Sequence, residues 1–163
     1  MSRTRSADPS VAVTIRDVDP QGKVALWLLR EAALDVQPLY ATSPDPGFSL
    51  PTNFPLGPRD VYVAAYLGEV PVACGAIREV DSSTAEVQRI YVHRDYRRRH
   101  LGQAIVQHLE HEARRLGYTR LLLETGDRQA PAMALYRTLG FKRIAAFGRH
   151  VTDPTSVCYE RRL

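Results

Sequence analysis

The sequence is poor in cysteine and has no long apolar run. Its two cysteines, Cys74 and Cys158, lie in separate apolar stretches, which predicts reduced, buried thiols rather than a disulfide framework. Neither a Cys-x-x-Cys pair nor a His/Cys cluster is present, so we expect no metal site. No stretch reaches the ~18 apolar residues of a membrane span. Residues 1–10 have no apolar stretch behind them, so we expect a disordered tail, no secretory signal and a cytoplasmic protein.

Lysine is also scarce, and the positive charge is concentrated. Only two of the 22 basic residues are lysine, and the net charge is +4. Residues 86–120 hold eight arginines and four acidic residues, whereas the rest of the chain holds 14 basic and 14 acidic residues. A diffuse basic surface is typical of nucleic-acid binding, but a single basic segment indicates one polyanionic ligand. With 163 residues, the chain is expected to form one domain over residues 11–163.

Alternating and helical spacings of apolar residues predict the secondary structure. Strands are predicted at 11–16, 61–67, 70–80, 84–92, 120–124, 141–147 and 156–161, and helices begin near 19, 101 and 130. The second to fourth strands are joined by tight turns and form an antiparallel meander. The strand–helix–strand unit between 84 and 124 requires parallel neighbours. We therefore expect an α/β fold (α+β mixed) with a mixed, mostly antiparallel sheet of about seven strands and helices on both faces.

Prolines interrupt the pattern between Pro38 and Pro58. Six of the eleven prolines fall in this stretch, together with Gly47 and Gly57, so it is predicted to be a long loop. Loops of this length inside a compact domain are usually functional or mobile. Two interpretations stay open, a flap on the substrate side and a plain surface loop.

A basic turn between a strand and a helix carries the clearest chemical signal. Residues 91–104 read YVHRDYRRRHLGQA, so three arginines at 97–99 precede a helix that begins around Gly102 and Ala104. The first amides of a helix are unpaired and partly positive, and small residues let an anion approach them closely. The arginines add charge-assisted donors. The pattern predicts a pyrophosphate site that is neither a Walker loop nor a dinucleotide fingerprint; the alternative is a solvated basic loop before an ordinary helix.

The same stretch resembles motif A of the GCN5-related N-acetyltransferase (GNAT) superfamily, Q/R-x-x-G-x-G/A at the end of the fourth strand. Residues 129–141, QAPAMALYRTLGF, are similar to that family's second signature, N-x-x-A-x-x-L-Y-x-x-x-G-F. The resemblance covers residues 11–163 and points to small bacterial acetyltransferases. It implies a GNAT-like sheet that is splayed between its fourth and fifth strands.

Two positions depart from the family pattern. With motif A aligned on Arg97, His100 stands where the family has its first glycine. Alignment on Arg99 keeps an intact R-x-x-G-x-A but displaces the motif by two residues, so the first register is preferred. Gln129 stands where the second signature has asparagine. It offers the same amide groups from a longer stem for a contact with pantetheine.

The resemblance implies a reaction and its co-substrate. It implies transfer of an acetyl group from acetyl-CoA to a primary amine by direct attack in a ternary complex, with no metal. We expect a small-molecule or amino-acid-like acceptor rather than a protein amine, no nucleic-acid or membrane partner, and a chain that is compatible with a homodimer. A non-catalytic acyl-CoA sensor is the alternative on the same fold. The implied cofactor-binding residues are Ile90, Tyr91, Val92, Arg97, Arg98, Arg99, His100, Leu101, Gly102, Gln103, Ala104, Gln129 and Tyr136.

Two side chains are candidates for proton transfer. Tyr136 occupies the family's tyrosine position, and because a phenol is a proton donor at neutral pH, it is predicted to protonate the thiolate leaving group. Glu86 lies near the strand segment that carries a catalytic glutamate in some family members, and it is the predicted general base, with Glu124 as second choice. Strand alternation predicts that four side chains share one face, namely Glu86, Gln88, Ile90 and Val92.

Structural roles are the alternatives for these side chains. Tyr136 would then be a packed aromatic residue, and Glu86 would form an ion pair with Arg89 or Arg78. The family resemblance further implies that strand amides around residues 90–92 stabilise the oxyanion. His150 is a candidate for the wall of the acceptor pocket.

Overall fold

The computed structural model describes residues 12–40 and 52–163. Its strands are β1 (Val13–Asp17), β2 (Val61–Leu67), β3 (Val70–Glu79), β4 (Thr84–Val92), β5 (Arg120–Gly126), β6 (Lys142–Ile144) and β7 (Ser156–Arg162). Its α-helices are α1 (Lys23–Tyr40), α2 (Leu101–Arg115) and α3 (Ala130–Thr138). The predicted strands and helices are confirmed in these ranges, with shifted ends. The predicted tail at 1–10 lies outside the described residues.

The strands form one sheet in the order β1-β2-β3-β4-β5-β7-β6. Neighbouring strands are antiparallel except β4 and β5, which are parallel. The parallel pairing joins residues Thr84–Val87 to Arg120–Leu123 and goes no further. Beyond Val87 the two strands separate, so the mixed sheet and its splay between the fourth and fifth strands are both confirmed.

Helices cover both faces of the sheet, as predicted. On one face α1 packs Ala25 and Leu28 against apolar side chains of β2 to β4. On the other face α2 contributes Ile105 and Leu109 to the larger core, which also includes Tyr136 of α3. The i, i+3 and i+4 spacing of these apolar residues along each helix explains why one stripe is buried.

The first helix continues past the point where the sequence indicates a break. Pro38 lies inside α1, which ends at Tyr40, so the prediction that the loop begins at Pro38 is wrong. Contacts with the β5–α3 loop hold this last turn, because Arg128 Nη1 donates to Leu39 O over 2.7 Å and Arg128 N donates to Tyr40 Oη over 2.9 Å. Residues 41–51 of the predicted loop lie outside the described part of the chain.

A bulge in β4 changes which side chains share a face. Gln88 pairs with Ala76 and Tyr91 with Cys74, so Arg89 and Ile90 together stand opposite one residue of β3, and Arg89 has a φ of 60°. A bulge of this kind breaks strand alternation. Ile90 and Val92 therefore pack towards α2, whereas Glu86 and Gln88 lie on the other face. The prediction that these four side chains share one face is wrong for this reason.

Both cysteines are free and buried, which confirms the predicted reduced thiols. Cys74 Sγ donates to the carbonyl of Arg89 over 3.2 Å and so gives this carbonyl of the bulge a hydrogen-bond partner. Burial raises the pKa of Cys74 to about 12, so the thiol stays protonated at neutral pH and keeps this contact. Among the residues that the structure describes, no helix is both long and apolar enough to cross a bilayer.

The glycine opposite the bulge makes room for it, which leads to a stability prediction. A Cβ at Gly75 would lie 2.5 Å from Ile105 Cγ2 and 2.7 Å from Ile90 Cδ1. Because these atoms are in a packed core, we expect Gly75→Ala to lower the free energy of unfolding by about 1–3 kcal/mol, measured as a shift of the urea midpoint.

Gly68→Asn is the matched control, because Gly68 has a φ of 59° and no atom within 4 Å of a built Cβ. Asparagine tolerates that conformation, so its free energy of unfolding should change by less than about 0.5 kcal/mol. A Gly75→Ala variant as stable as the control would show that the bulge does not need the space.

Candidate active site

The N-terminus of α2 has no side-chain cap. His100 occupies the N-cap position without a side-chain hydrogen bond, and the helix's first backbone hydrogen bond runs from Ala104 N to His100 O over 3.1 Å. The amides of residues 101–103 are therefore unpaired within the helix. His100 has a φ of 58° and Arg98 a φ of 65°. His100 thus adopts the left-handed conformation that suits the glycine of the family motif, which favours the register aligned on Arg97.

A cleft of about 700 Å³ opens at this helix end, between α1 and α3. A Cβ on Gly102 would lie 3.0 Å from Leu135 Cδ2 of α3, so this glycine keeps the two helices close at the wall of the cleft. Ten of the predicted cofactor-binding residues line the cleft, namely Ile90, Val92, Arg97, Arg98, His100, Leu101, Gly102, Gln103, Gln129 and Tyr136. The other three predicted residues, Tyr91, Arg99 and Ala104, do not line it.

Contacts elsewhere explain why Tyr91 and Arg99 are apart from the cleft. The Tyr91 hydroxyl lies on the α1 face of the sheet and donates to Asp35 Oδ2 over 2.8 Å. The Arg99 guanidinium lies over the Tyr96 ring, 5.6 Å from its centroid. Arg97 does line the cleft, and its Nη2 donates to Asp35 Oδ2 over 2.9 Å. Asp35 therefore positions one of the basic residues at the cleft wall.

The cleft continues into the gap between the splayed strands, with a further volume of about 540 Å³. Tyr136 lines both parts, and its ring is buried against Phe141 and Tyr159. Burial raises the pKa of the Tyr136 phenol, and the Glu124 carboxylate and Tyr159 add to the effect. The phenol is therefore neutral and able to donate a proton throughout the physiological pH range.

Glu86 lies at the far end, in a pocket of about 400 Å³ that shares Val87 and Glu124 with the gap. Its carboxylate is buried, with only 8% of the side chain exposed. Gln88 Nε2 donates to Glu86 Oε2 over 3.0 Å, and both Nη atoms of Arg149 lie 3.4 Å from its oxygens. Glu86 thus forms an ion pair with Arg149 and not with Arg89 or Arg78, the partners that the sequence suggested. Arg89 Nε instead donates to Asn53 Oδ1 over 3.0 Å.

One histidine connects the two candidate bases. His150 Nε2 lies 3.0 Å from Glu86 Oε1, and His150 Nδ1 lies 3.7 Å from Glu124 Oε2. Ser156 Oγ donates to Glu124 Oε1 over 3.0 Å and fixes the second carboxylate. The sequence makes His150 a candidate for the pocket wall but does not indicate this bridge, because no local pattern relates a residue of a late turn to side chains on two earlier strands. In the described ranges, no group of three or more potential metal ligands is close enough to hold an ion.

Comparisons with known proteins support a family assignment. The sequence matches the acetyltransferase (GNAT) family over residues 28–141. IAA acetyltransferase of Azospirillum brasilense is 33% identical over 153 residues, which cover 93% of this chain and 98% of that protein. A crystal structure from Klebsiella pneumoniae subsp. pneumoniae MGH 78578, provisionally assigned as an acyl-CoA N-acyltransferase, has 31% identity and a TM-score of 0.76 and covers 94% of this chain and 99% of that chain.

A more distant structure shares the fold alone. PaiA N-acetyltransferase of Thermoplasma acidophilum, solved in complex with coenzyme A, has a TM-score of 0.71 at 12% identity and covers 93% of this chain and 99% of that chain. The family match and the nearly full-length relative confirm the resemblance that the two sequence motifs indicate. The chain therefore belongs to the acetyltransferase (GNAT) family and is an acetyl-CoA-dependent N-acetyltransferase.

Proposed function

We propose that this protein acetylates a small-molecule primary amine by direct attack in a ternary complex. The supporting observation is the cleft through the splay, which joins the uncapped end of α2 to the buried carboxylate of Glu86 and has Tyr136 between them. A donor bound at one end and an acceptor at the other would meet in the gap between β4 and β5. The pocket at Glu86, about 400 Å³ in volume, fits a small amine.

In this proposal the α2 end binds the diphosphate of acetyl-CoA. The unpaired amides of residues 101–103 offer donors at the positive end of the helix dipole, and Arg97 and Arg98 add charge-assisted hydrogen bonds. Gln129 lines both parts of the cleft, so its amide group is placed to bind the pantetheine arm. The thioester would then lie beside β4 residues that have no β5 partner, where amides around 90–92 stabilise the oxyanion.

In this proposal Glu86 accepts a proton from the amine, and Tyr136 donates one to the leaving group. An amine with a pKa near that of lysine is about 3.4 pKa units above pH 7, so its deprotonation costs about 4.6 kcal/mol, and Glu86 accepts that proton. The amine then attacks the thioester carbonyl, so that a C–N bond forms and the C–S bond breaks. The nitrogen of the adduct releases its second proton to solvent, and the Tyr136 hydroxyl protonates the departing thiolate. Tyr136 then recovers a proton from solvent, and Glu86 releases its proton to solvent, which restores both groups.

Replacing the tyrosine tests its role as the acid. Tyr136→Phe is expected to lower kcat by about 10²-fold or more, because the thiolate loses its proton donor, while the acetyl-CoA dissociation constant stays within about twofold. Because burial raises the pKa of Tyr136, the wild-type phenol remains protonated as the pH rises from 7 to 9. Its titration should therefore cause no loss of kcat across that interval.

Tyr118→Phe is the control for this variant, because Tyr118 is equally buried and its hydroxyl donates to Arg59 O over 2.9 Å, away from the cleft. Stopped assays of thiol release give kcat, and calorimetry gives the affinity for acetyl-CoA. Equal kcat in Tyr136→Phe and the wild type would leave Tyr136 as a packing residue.

The base is tested by removing its charge. Glu86→Gln is expected to lower kcat/KM at pH 7 by about 10²-fold or more, and the deficit should shrink at pH 9.5, where more of the amine is already neutral. Glu79→Gln removes an exposed carboxylate of the same sheet that pairs with Arg59, and its pH profile should match that of the wild type. A deficit in Glu86→Gln that is the same at both pH values would contradict the role of general base.

Two neighbouring arginines test the phosphate site. Arg98 lines the cleft and Arg99 stacks on Tyr96, so Arg98→Asn should raise the acetyl-CoA dissociation constant about tenfold or more, because a charge-assisted hydrogen bond contributes about 1.5–3 kcal/mol. Arg99→Asn should change it less than about threefold. Asparagine is chosen because it tolerates the positive φ of Arg98. Equal effects in calorimetry would indicate diffuse attraction rather than a defined site.

A further inference from the structure

The acceptor pocket separates its charges into a floor and a rim. The floor holds the Glu86 and Glu124 carboxylates, and the rim holds three exposed arginines, Arg78, Arg89 and Arg149. Arg89 is already engaged, because its Nε donates to Asn53 and its Nη2 lies 3.4 Å from Thr52 O. Arg78 and Arg149 are therefore the cations that face a ligand in this pocket.

Arg149 is held only loosely. Its two contacts with Glu86 are each 3.4 Å long, near the limit of a hydrogen bond, and 68% of its side chain is exposed. Ion pairs of such length and exposure contribute little, so the guanidinium can turn towards another anion at small cost. A planar carboxylate suits it best, since two N–H groups of a guanidinium match two carboxylate oxygens.

Arg78 lies beside the same carboxylate. It is the cross-strand partner of Glu86 in the β3–β4 register, which places the two side chains on one face. Its guanidinium stacks on the Phe54 ring, 4.5 Å from the centroid, and a stacked guanidinium keeps its in-plane N–H donors available. The pocket therefore offers two cations next to one buried carboxylate.

We propose that the acceptor is an amino acid or another amine that carries a carboxylate a few bonds from its nitrogen. The ammonium group binds at Glu86, and the carboxylate binds Arg149 with Arg78 beside it. This inference rests on the proposed function, because it assigns the substrate class of the same site. It adds a consequence for the base: an acceptor carboxylate that draws Arg149 away leaves the Glu86 carboxylate free to take the proton of the bound ammonium.

Matched pairs of acceptors test the substrate class. α-Amino acids and their α-amides are supplied with acetyl-CoA, and kcat/KM is measured from thiol release. We expect at least one amino acid to exceed its amide by about tenfold or more, as one charge-assisted pair would give. In Arg149→Gln this ratio should fall to within about threefold, whereas Arg137→Gln, an exposed arginine on α3, should keep the wild-type ratio.

Binding measurements separate this inference from the proposed function. Calorimetry in the presence of coenzyme A compares the dissociation constants of an N-acetyl amino acid and its amide. This measurement needs no turnover. If the N-acetyl amino acid binds more tightly than its amide, and this preference is lost in Arg149→Gln, the inference is supported even when no acceptor is acetylated. A failure to acetylate any acceptor would contradict the proposed function alone. Turnover or binding without a preference for the carboxylate overturns the inference. A preference that Arg149→Gln leaves intact also overturns it, as does a higher kcat/KM for the aminophosphonate analogue of the same amino acid.

Discussion

The site depends on how far two strands stay paired. Parallel hydrogen bonds join β4 to β5 at Thr84–Val87 and Arg120–Leu123, and beyond them each strand presents backbone groups to a gap. Unpaired backbone groups need partners, and a ligand that runs between the strands can provide them. Because the sheet is continuous on both sides of the gap, the two walls are held in place by the rest of the fold rather than by each other.

Several features keep the gap open. The bulge at Arg89 turns β4 at the point where pairing with β5 has ended, and the missing side chain at Gly75 lets Ile90 fill the space towards α2. On the opposite side of the sheet, Asp35 of α1 accepts hydrogen bonds from Tyr91 and Arg97. The last turn of α1 reaches the β5–α3 loop through Arg128. The first helix therefore connects the two strand ends that the splay separates.

The sequence predicts the fold well because its strong signals are local. Alternation and tight turns define the meander from β2 to β4, and the strand–helix–strand order requires the parallel pair. The bulge could not be predicted from a local pattern. The single extra residue in β4 depends on the close packing of Ile105 against Gly75, and such a long-range contact leaves no periodicity in the sequence. The extension of α1 through Pro38 has the same origin, since contacts with Arg128 outweigh the local preference of proline.

The candidate site likewise has one part that the sequence predicts and another part that depends on contacts between distant residues. The basic turn and the second signature predict the proposed cofactor end, because both are contiguous motifs whose chemistry follows from their residues. The proposed acceptor end is assembled from side chains far apart in sequence, so the residues alone left Glu86 and Glu124 as competing candidates for the base. Their positions explain the ambiguity: Glu86 pairs with Leu122 just before the strands separate, and Glu124 follows directly after the last pair.

The two carboxylates therefore flank the start of the splay from opposite walls, and His150 lies between them. They differ in their surroundings. Glu86 is more deeply buried and borders the arginines of the pocket, whereas Glu124 is held by Ser156 and is near enough to Tyr136 to help raise the pKa of that phenol. Glu86 therefore borders the pocket proposed for the amine, whereas Glu124 lies between that pocket and Tyr136, the proposed acid. The His150 imidazole lies against both carboxylates and so joins two acids with different surroundings through a single side chain.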